Sequence, residues 1–349
     1  MGGAENQVVN LADELAIRGH KVTLAYVLKP ALVLPRNEQV EVIWLGGTKS
    51  LLGMASAYIN LAKLIKKFKP DVVHSHMFHA NILSRLVRVV SKVPRLVCTA
   101  HSNNEGGKAR MLTYRLTDRL ADEFTNVSQR AVLAFEQKKA APAGRMLAVF
   151  NGIDTQRFSF NPEARQRLRA ELDIDQSEVF ISIGRFHEAK DYPNLLDAFA
   201  SLGNSQADIH LLIVGDGELR SQIEQAIDSL GLQSKITLLG IRKDVPELLS
   251  AADVFVLSSA WEGFGLVVAE AMACERVVIA TNSGGVAEVL GGNGFLVASR
   301  DMEALAGAMQ TALDLPESAA KQYGAESRQH VIENFSLASV VDRWLEIYK

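Results

Sequence analysis

The chain lacks the features that mark several large protein classes. It has only two cysteines, Cys98 and Cys274, each inside an apolar run. That excludes a disulfide-stapled scaffold and points to buried thiols of a reducing compartment. No Cys/His spacing suits a zinc site. Proline is scarce, at nine residues, and 48% of the chain is apolar, which excludes a disordered segment. No apolar run reaches the ~18 residues of a membrane span. No signal-peptide pattern is present, so a cytoplasmic protein is expected, and the sequons at Asn126 and Asn334 carry little weight. Aromatic residues make up 7% and form no stacking platform. With no recognition motif either, nucleic acid is not an expected partner.

What is present is a chain of 349 residues, enough for two domains that each bury a core. The net charge of −3 hides an asymmetry: residues 1–160 carry 22 Lys+Arg against 12 Asp+Glu, and residues 161–349 carry 15 against 28. The basic residues concentrate at Lys63, Lys66, Lys67 and Lys69, and again at Arg85, Arg88, Lys92 and Arg95, with apolar residues between them. Two readings stand: solvated helix faces, or a surface that docks on anionic lipid, where each basic residue adds about 1 kcal/mol.

Short β-branched runs alternate with longer helical stretches, the pattern of parallel sheets with crossover helices. Strands are expected at 21–26, 40–45, 71–74, 95–99, 123–127 and 146–150, then at 179–183, 210–214, 236–239, 254–257, 277–280 and 294–297. Helices are expected at 7–18, 54–68 and 80–90 in the first half. In the second half they are expected at 192–201, 219–230, 245–250, 266–274 and 302–313, with a last one at 337–348. Two doubly wound halves follow, joined by a linker near residues 155–175. Ligands of such sheets bind outside the carboxyl ends of the strands, in a cleft.

The most informative segment is Glu262-Gly-Phe-Gly-Leu-Val-Val-Ala-Glu270, after a buried strand. Its glycines turn the chain into a helix and leave backbone N–H groups and the positive end of a helix dipole at the sheet edge, where phosphate binds well. The two carboxylates are either solvated residues beside a tight turn, or groups that reach different parts of one ligand. A polyhydroxylated anion such as a nucleotide sugar fits the second reading.

Ser259-Ala-Trp-Glu-Gly-Phe-Gly-Leu-Val-Val-Ala-Glu-Ala-Met-Ala273 resembles the donor-site signature of the family 4 retaining glycosyltransferases. The resemblance extends over nearly the whole chain. It implies the GT-B fold, an α/β architecture of two Rossmann-like doubly wound domains facing a cleft. Residues 1–158 would form an acceptor-binding domain and 159–335 a nucleotide-sugar-binding domain. Residues 336–349 would form a tail helix crossing back to the first.

By the same resemblance, Arg185 and Lys190 in Gly184-Arg-Phe-His-Glu-Ala-Lys190 meet the donor diphosphate, and fixed cations there stabilise the departing charge. Glu270 holds the ribose hydroxyls, the N–H groups from Phe264 through Gly265 to Leu266 hold the diphosphate, and Glu262, with Gly263, lies beside the donor sugar. The backbone at Ile241 meets the nucleobase. Gly215-Asp-Gly217, which lacks the third glycine of a Rossmann fingerprint, leaves room beside the nucleotide. Gly2 and Gly3 let the opposite backbone approach the diphosphate. His101 stands near the donor sugar and the attacking hydroxyl. His74, His76 and Ser128 are acceptor-side candidates; no partner acids accompany the two histidines, which favours a structural role over a metal site.

The family has no Asp-X-Asp metal site and none is placed here, so no metal or other cofactor is expected. The implied reaction is metal-independent, retaining transfer of a sugar from a nucleoside diphosphate, taken as UDP, to a saccharide acceptor. A lipid-linked acceptor of bacterial surface polysaccharide (lipopolysaccharide, O-antigen) assembly is expected, with the protein peripheral on the inner face of the cytoplasmic membrane. The alternatives are a nucleotide-sugar epimerase of related fold and an inactive scaffold that binds the nucleotide sugar. In the family a Gly-Gly-Ala-Glu turn like that at residues 2–5 follows an apolar central strand. No such strand precedes it here: either the start is late or the sheet tolerates the gap.

Overall fold

The computed structural model describes residues 3–31, 33–204 and 208–349. It divides into two compact units, one running to Gly152 and taking up Leu337–Lys349, the other Ile153–Ser336. The expected boundaries at 158/159 and 335/336 thus fall at Gly152/Ile153 and Ser336/Leu337. Gly2 lies outside the described residues.

The first unit contains helices α1 (Gly3–Ile17), α2 (Leu51–Phe68), α3 (Phe78–Val87), α4 (Lys108–Thr117) and α5 (Gln129–Gln137). Its strands are β1 (Thr23–Leu28), β2 (Glu41–Gly47), β3 (Val72–His76), β4 (Arg95–Ala100), β5 (Glu123–Asn126) and β6 (Met146–Ala148). All pairings are parallel, but the strands form two separate sheets, β1-β2 and β3-β4-β5-β6. β4 is buried on both faces, which is why Leu96–Cys98 reads as a continuous apolar run. Ser50 caps α2 by accepting from the Gly53 N–H at 3.1 Å, and Lys69 ends it in the left-handed region. The last helix of the chain, α14 (Leu337–Tyr348), packs Val340, Val341 and Trp344 against Leu11, Val97 and Val149 of this unit.

Of the second basic cluster only Lys92 is exposed. Arg85 is fully buried with its guanidinium over Phe124 and its Nη1 donating to the Tyr114 carbonyl. Arg88 pairs with Asp122, and Arg95 bonds Glu123 and the Ile347 carbonyl. Lys63, Lys66, Lys67, Lys69 and Lys92 are exposed.

The second unit is one six-stranded parallel sheet of β7 (Glu178–Ile183), β8 (Ile209–Val214), β9 (Ile236–Gly240), β10 (Val254–Leu257), β11 (Val277–Thr281) and β12 (Phe295–Val297). The spatial order is β12-β11-β10-β7-β8-β9. Around it stand α6 (Pro162–Leu172), α7 (Tyr192–Ser201), α8 (Arg220–Ser229), α9 (Val245–Ala251), α10 (Leu266–Ala273), α11 (Val286–Leu290), α12 (Met302–Leu313) and α13 (Glu317–Phe335).

Three of these helices, α6, α11 and α13, depart from the sequence reading. The expected linker is α6, fastened by Arg165 and Arg169, which both bond the Asp253 carboxylate at the start of β10. Burial alone would raise the Asp253 pKa, but Arg165, the Val179 N–H and Arg169 together hold it below the usual carboxylate range. α13 was not expected because its buried face is built partly from small residues. A Cβ at Gly324 would come within 2.3 Å of the Glu275 carbonyl, so only glycine permits that approach.

Candidate active site

The order of the second sheet places a switch point at β7 and β10: from β7 the chain moves outward through β8 and β9, then returns to lay β10 on the other side. The carboxyl ends of these neighbours are where a doubly wound sheet opens to a ligand. Two loops leave there, and they are stitched together. The Ala260 N–H donates to the Ala189 carbonyl at 2.8 Å, and Ser258 Oγ donates to the Lys190 carbonyl at 2.7 Å.

This stitching brings Lys190 and Glu262, 72 residues apart in sequence, into a direct bond of 2.6 Å between Nζ and Oε1. Ser259 Oγ donates to the same oxygen at 2.8 Å. Both ionic side chains are mostly buried, at 19% and 16% exposure, so their charges are screened less than those of a surface pair. The Lys190 stem lies across Gly184, where a Cβ would meet its Cε at 2.8 Å. Arg185 is exposed, and no described residue engages its guanidinium. Gly215 and Gly217 serve close packing: a Cβ on Gly215 would fall 1.9 Å from the Gly184 carbonyl, and one on Gly217 2.4 Å from that of Phe186.

Beyond Glu262, Gly265 takes a φ of 89° and opens α10 with no side-chain cap. The Leu266 and Val267 N–H groups at the start of α10 are therefore left to other acceptors, while that of Val268 donates to the Gly265 carbonyl at 2.9 Å. The Phe264 ring is buried edge-to-face on Phe335, so only its backbone faces the turn. Glu270 lies one turn inside α10. Burial raises its pKa to about 8, against the pull of Arg157 and Lys190. A residual fraction of its surface stays exposed, and among the described residues no donor bonds its carboxyl. Ile241, just past β9, is 72% exposed.

The loop after β11 completes this face and was missed in the sequence. A Cβ on Gly284 would fall 1.9 Å from the Glu262 carbonyl, and the Gly285 N–H donates to the Gly263 carbonyl at 3.2 Å. Ser283 Oγ is buried there with no partner among the described residues. The Gly284-Gly285 pair after an apolar strand was the available signal.

In the first unit the histidines cluster at the carboxyl ends of β3 and β4. His76 Nδ1 and His101 Nε2 lie 3.0 Å apart, one donating and the other accepting. His74 is committed inside the fold, with Nδ1 on Tyr348 Oη and Nε2 on Thr99 Oγ1, both at 2.7 Å. Burial lowers all three pKa values, that of His74 to about 3 and that of His101 to about 4, so the rings are neutral at pH 7. The His101 backbone N–H donates to Glu105, which also accepts from Tyr114. Ser128 is fully buried and caps α5 through the Ala131 N–H at 3.1 Å. Gly3 is the first residue of α1. Among the described residues no group of three or more His, Cys, Asp or Glu side chains is placed to hold a metal ion.

Comparison with known proteins connects both units to one family. Residues 164–330 match the model for glycosyl transferases group 1, and residues 1–157 that for glycosyltransferase family 4. The chain is 30% identical over 338 residues to alpha-maltose-1-phosphate synthase of Mycolicibacterium smegmatis, covering 87% of this chain and 85% of that protein. The chain belongs to the family 4 glycosyltransferases.

It is an enzyme, a glycosyltransferase, with the GT-B fold. The UDP-Gal:alpha-D-GlcNAc-diphosphoundecaprenol alpha-1,3-galactosyltransferase of Escherichia coli is 26% identical over 86% of this chain and 80% of its own length. The lipopolysaccharide core biosynthesis glycosyltransferase LpsE of Rhizobium meliloti is 27% identical over 99% and 95%. A glycosyltransferase of Rickettsia africae superposes with a TM-score of 0.87 at 24% identity, over 100% of this chain and 94% of that one. Anabaena HepE in complex with UDP gives 0.85 at 23%, over 99% and 95%.

The buried carboxyl of Glu270 yields a pH signature. Between its ordinary 4.5 and about 8 the folded glycosyltransferase keeps a proton that the unfolded chain has released, so rising pH costs stability across that window. Glu270→Gln has no proton to lose. Its thermal stability relative to the parent should therefore rise from pH 4.5 to a plateau above about pH 8; parallel curves would count against a buried, protonated Glu270.

Proposed function

We propose that this enzyme transfers a hexosyl group from a nucleoside-diphosphate sugar, with UDP as the nucleotide, to a saccharide hydroxyl, retaining anomeric configuration and without a divalent metal. The observation that carries the reading is the convergence of Lys190, Glu262 and the uncapped start of α10 at the β7/β10 switch point, with Glu270 one turn further on. Backbone N–H groups and a helix dipole suit the diphosphate. Arg185 and Lys190 suit the negative charge that grows on it as the bond between sugar C1 and phosphate oxygen breaks. The acceptor oxygen forms the new bond to C1 from the same face, and its proton passes to the departing phosphate oxygen. Glu262, fixed by Lys190 and Ser259, positions and polarises the sugar. Glu270, protonated at pH 7 through its burial, bonds two ribose hydroxyls by accepting one hydrogen bond and donating another. In the first unit, the neutral His76–His101 pair offers the acceptor side hydrogen bonds without charge.

A lipid-linked acceptor in surface-polysaccharide assembly fits the first unit's surface, and the names of the Escherichia coli and Rhizobium relatives support it. Lys63, Lys66, Lys67 and Lys69 are exposed along and after α2, near Leu51, Leu52 and Ile59. α4, absent from the sequence reading, exposes Leu112 and Leu116 beside Lys108 and Arg115, and it packs on α3, whose end exposes Leu86. No helix among the described residues is long and apolar enough to cross a membrane. We place the enzyme on the inner face of the cytoplasmic membrane, held by basic and apolar side chains together.

Thermal unfolding with UDP, GDP and ADP, each with and without a chelator, tests the donor site. One nucleotide at a hundred times its dissociation constant should stabilise by about 2.7 kcal/mol, chelator or not. Glu270→Ala should weaken that binding by about 1–3 kcal/mol. A rise that the chelator abolishes would overturn metal independence, and no rise with any nucleotide would overturn the donor site. For the membrane reading, replacing Lys66, Lys67 and Lys69 with alanine should lower affinity for anionic vesicles about a hundredfold; equal binding would remove it.

A further inference from the structure

The ladder of β4 ends at Ala100. The next backbone N–H, that of His101, donates to a side chain instead, Glu105 Oε1 at 3.0 Å. The other oxygen, Glu105 Oε2, accepts from Tyr114 Oη at 2.5 Å. Both oxygens accept, as those of an ionised carboxylate do. The loop between the two bonds turns at Gly106, whose φ of 126° suits only glycine, and Arg110 Nη1 ties the Glu105 carbonyl down at 2.9 Å.

Tyr114 is a fixed post for this loop. It is fully buried in α4, with its ring edge-on to Phe78, tilted on Phe124, and under the Arg85 guanidinium. Its Oη also accepts from Asn81 Nδ2 at 3.1 Å. Asn81, fully buried in the first turn of α3, is the junction of the network. Its Nδ2 donates to the Thr99 carbonyl at 2.9 Å, and its Oδ1 accepts from Ser75 Oγ at 2.8 Å. The Met77 N–H donates to the same Thr99 carbonyl, also at 2.9 Å. Ser75 and Met77 flank His76 in the chain, while Thr99 and Glu105 stand on either side of His101. One network thus grips the backbone that carries both rings.

What it fixes is a relation between two neutral imidazoles. His76 Nδ1 and His101 Nε2, 3.0 Å apart, share one proton. If His76 Nδ1 donates, His101 carries its own proton on Nδ1. If His101 Nε2 donates, His76 carries its own on Nε2. In either state the two remaining nitrogens are one donor and one acceptor, and neither has a partner among the described residues. A hydroxyl both donates and accepts, so the pair can meet one with complementary groups. A displacement of His101 by about 1 Å would break the bond between the rings and release both tautomers.

We propose that Asn81, Glu105 and Tyr114 are positioning residues for the acceptor hydroxyl: they fix the chain around His76 and His101 and so hold the two rings in one joint tautomer. This rests on the reading of the histidine pair as acceptor-side groups. Supporting hydrogen bonds of this kind, anchored on a packed aromatic, keep site groups within a fraction of an ångström of a working geometry.

The test is nitrogen NMR of the imidazole rings, on the full chain with isotope-labelled histidine and no donor or acceptor added. Signals lost in His76→Asn and in His101→Asn assign the two rings. In the parent each should show two well-separated nitrogen signals, the mark of a fixed neutral tautomer. Glu105→Gln and Tyr114→Phe keep shape and remove one acceptor or one donor. Each should draw the signals of both rings towards the average of two tautomers, with those of His187 and His210 in the second unit unchanged. A merely structural role would lower the melting temperature of both variants and leave the ring signals in place, and that result refutes the positioning; so do averaged signals in the parent. Glu105→Gln, whose carboxyl lies outside the aromatic cluster, decides the matter should Tyr114→Phe not fold. An error in the acceptor-side reading gives a different pattern: the rings respond to both variants, yet His101→Gln releases UDP from UDP-glucose as fast as the parent. That pattern overturns the proposal at its function and not at its geometry.

Discussion

The bond between Lys190 and Glu262 depends on one constraint, the pairing of β7 with β10 in register. Among the described residues, β7 is the strand from which the chain passes outward on one side, through β8 and β9, and returns on the other at β10. The groups at the proposed donor face leave the carboxyl ends of β7, β8, β9, β10 and β11, and the glycines at 184, 215, 217 and 284 let those turns sit closer than side chains would permit. Asp253 secures the opposite end of β10 through two arginines of α6 and the Val179 N–H of β7. The face is thus fixed from below by a charge network and from above by turn-to-turn backbone contacts. Such rigidity suits a site that must hold fixed charges where a phosphate departs.

The first unit is organised differently. Its four-stranded sheet is closed by α14, whose Tyr348 reaches His74 and whose Trp344 packs with it. The histidine group is therefore held partly by the last helix of the chain. Burial keeps these rings neutral, so they offer hydrogen bonds without charge, whereas the second unit gathers charged side chains. β1 and β3 line a cavity of about 1440 Å³ and both pack on one core cluster, through Ala25, Val27 and Val73.

Strands β7, β8, β10 and β11 were legible because they are buried on both faces and end in glycine or small polar residues, as in Leu212-Ile-Val-Gly215. α14 was legible through the resemblance, as the tail helix that returns to the first domain. α13 was not, since Gly324 and Ser327 in its buried face carry no hydrophobic signal. α6 read as a linker because five of its eleven residues are charged; it brings Arg165 and Arg169 to Asp253, a partner more than 80 residues away that no local pattern reveals. Arg85 read as a surface cation for the same reason, while the structure buries it over Phe124. At the candidate site, the motif around Glu262 gave the residues but not the bond to Lys190. Ser128 and His74 had the right residue type at the right strand ends, yet their polar atoms are bound within the fold, which only packing could show.

The most direct test of the account is a crystal structure with UDP bound. It should place the diphosphate on the first-turn N–H groups of α10, within hydrogen-bond reach of Lys190 and Arg185, and the ribose on Glu270. A nucleotide bound elsewhere, or a diphosphate remote from α10 with Glu270 untouched, would contradict the assignment of this switch point as the donor site.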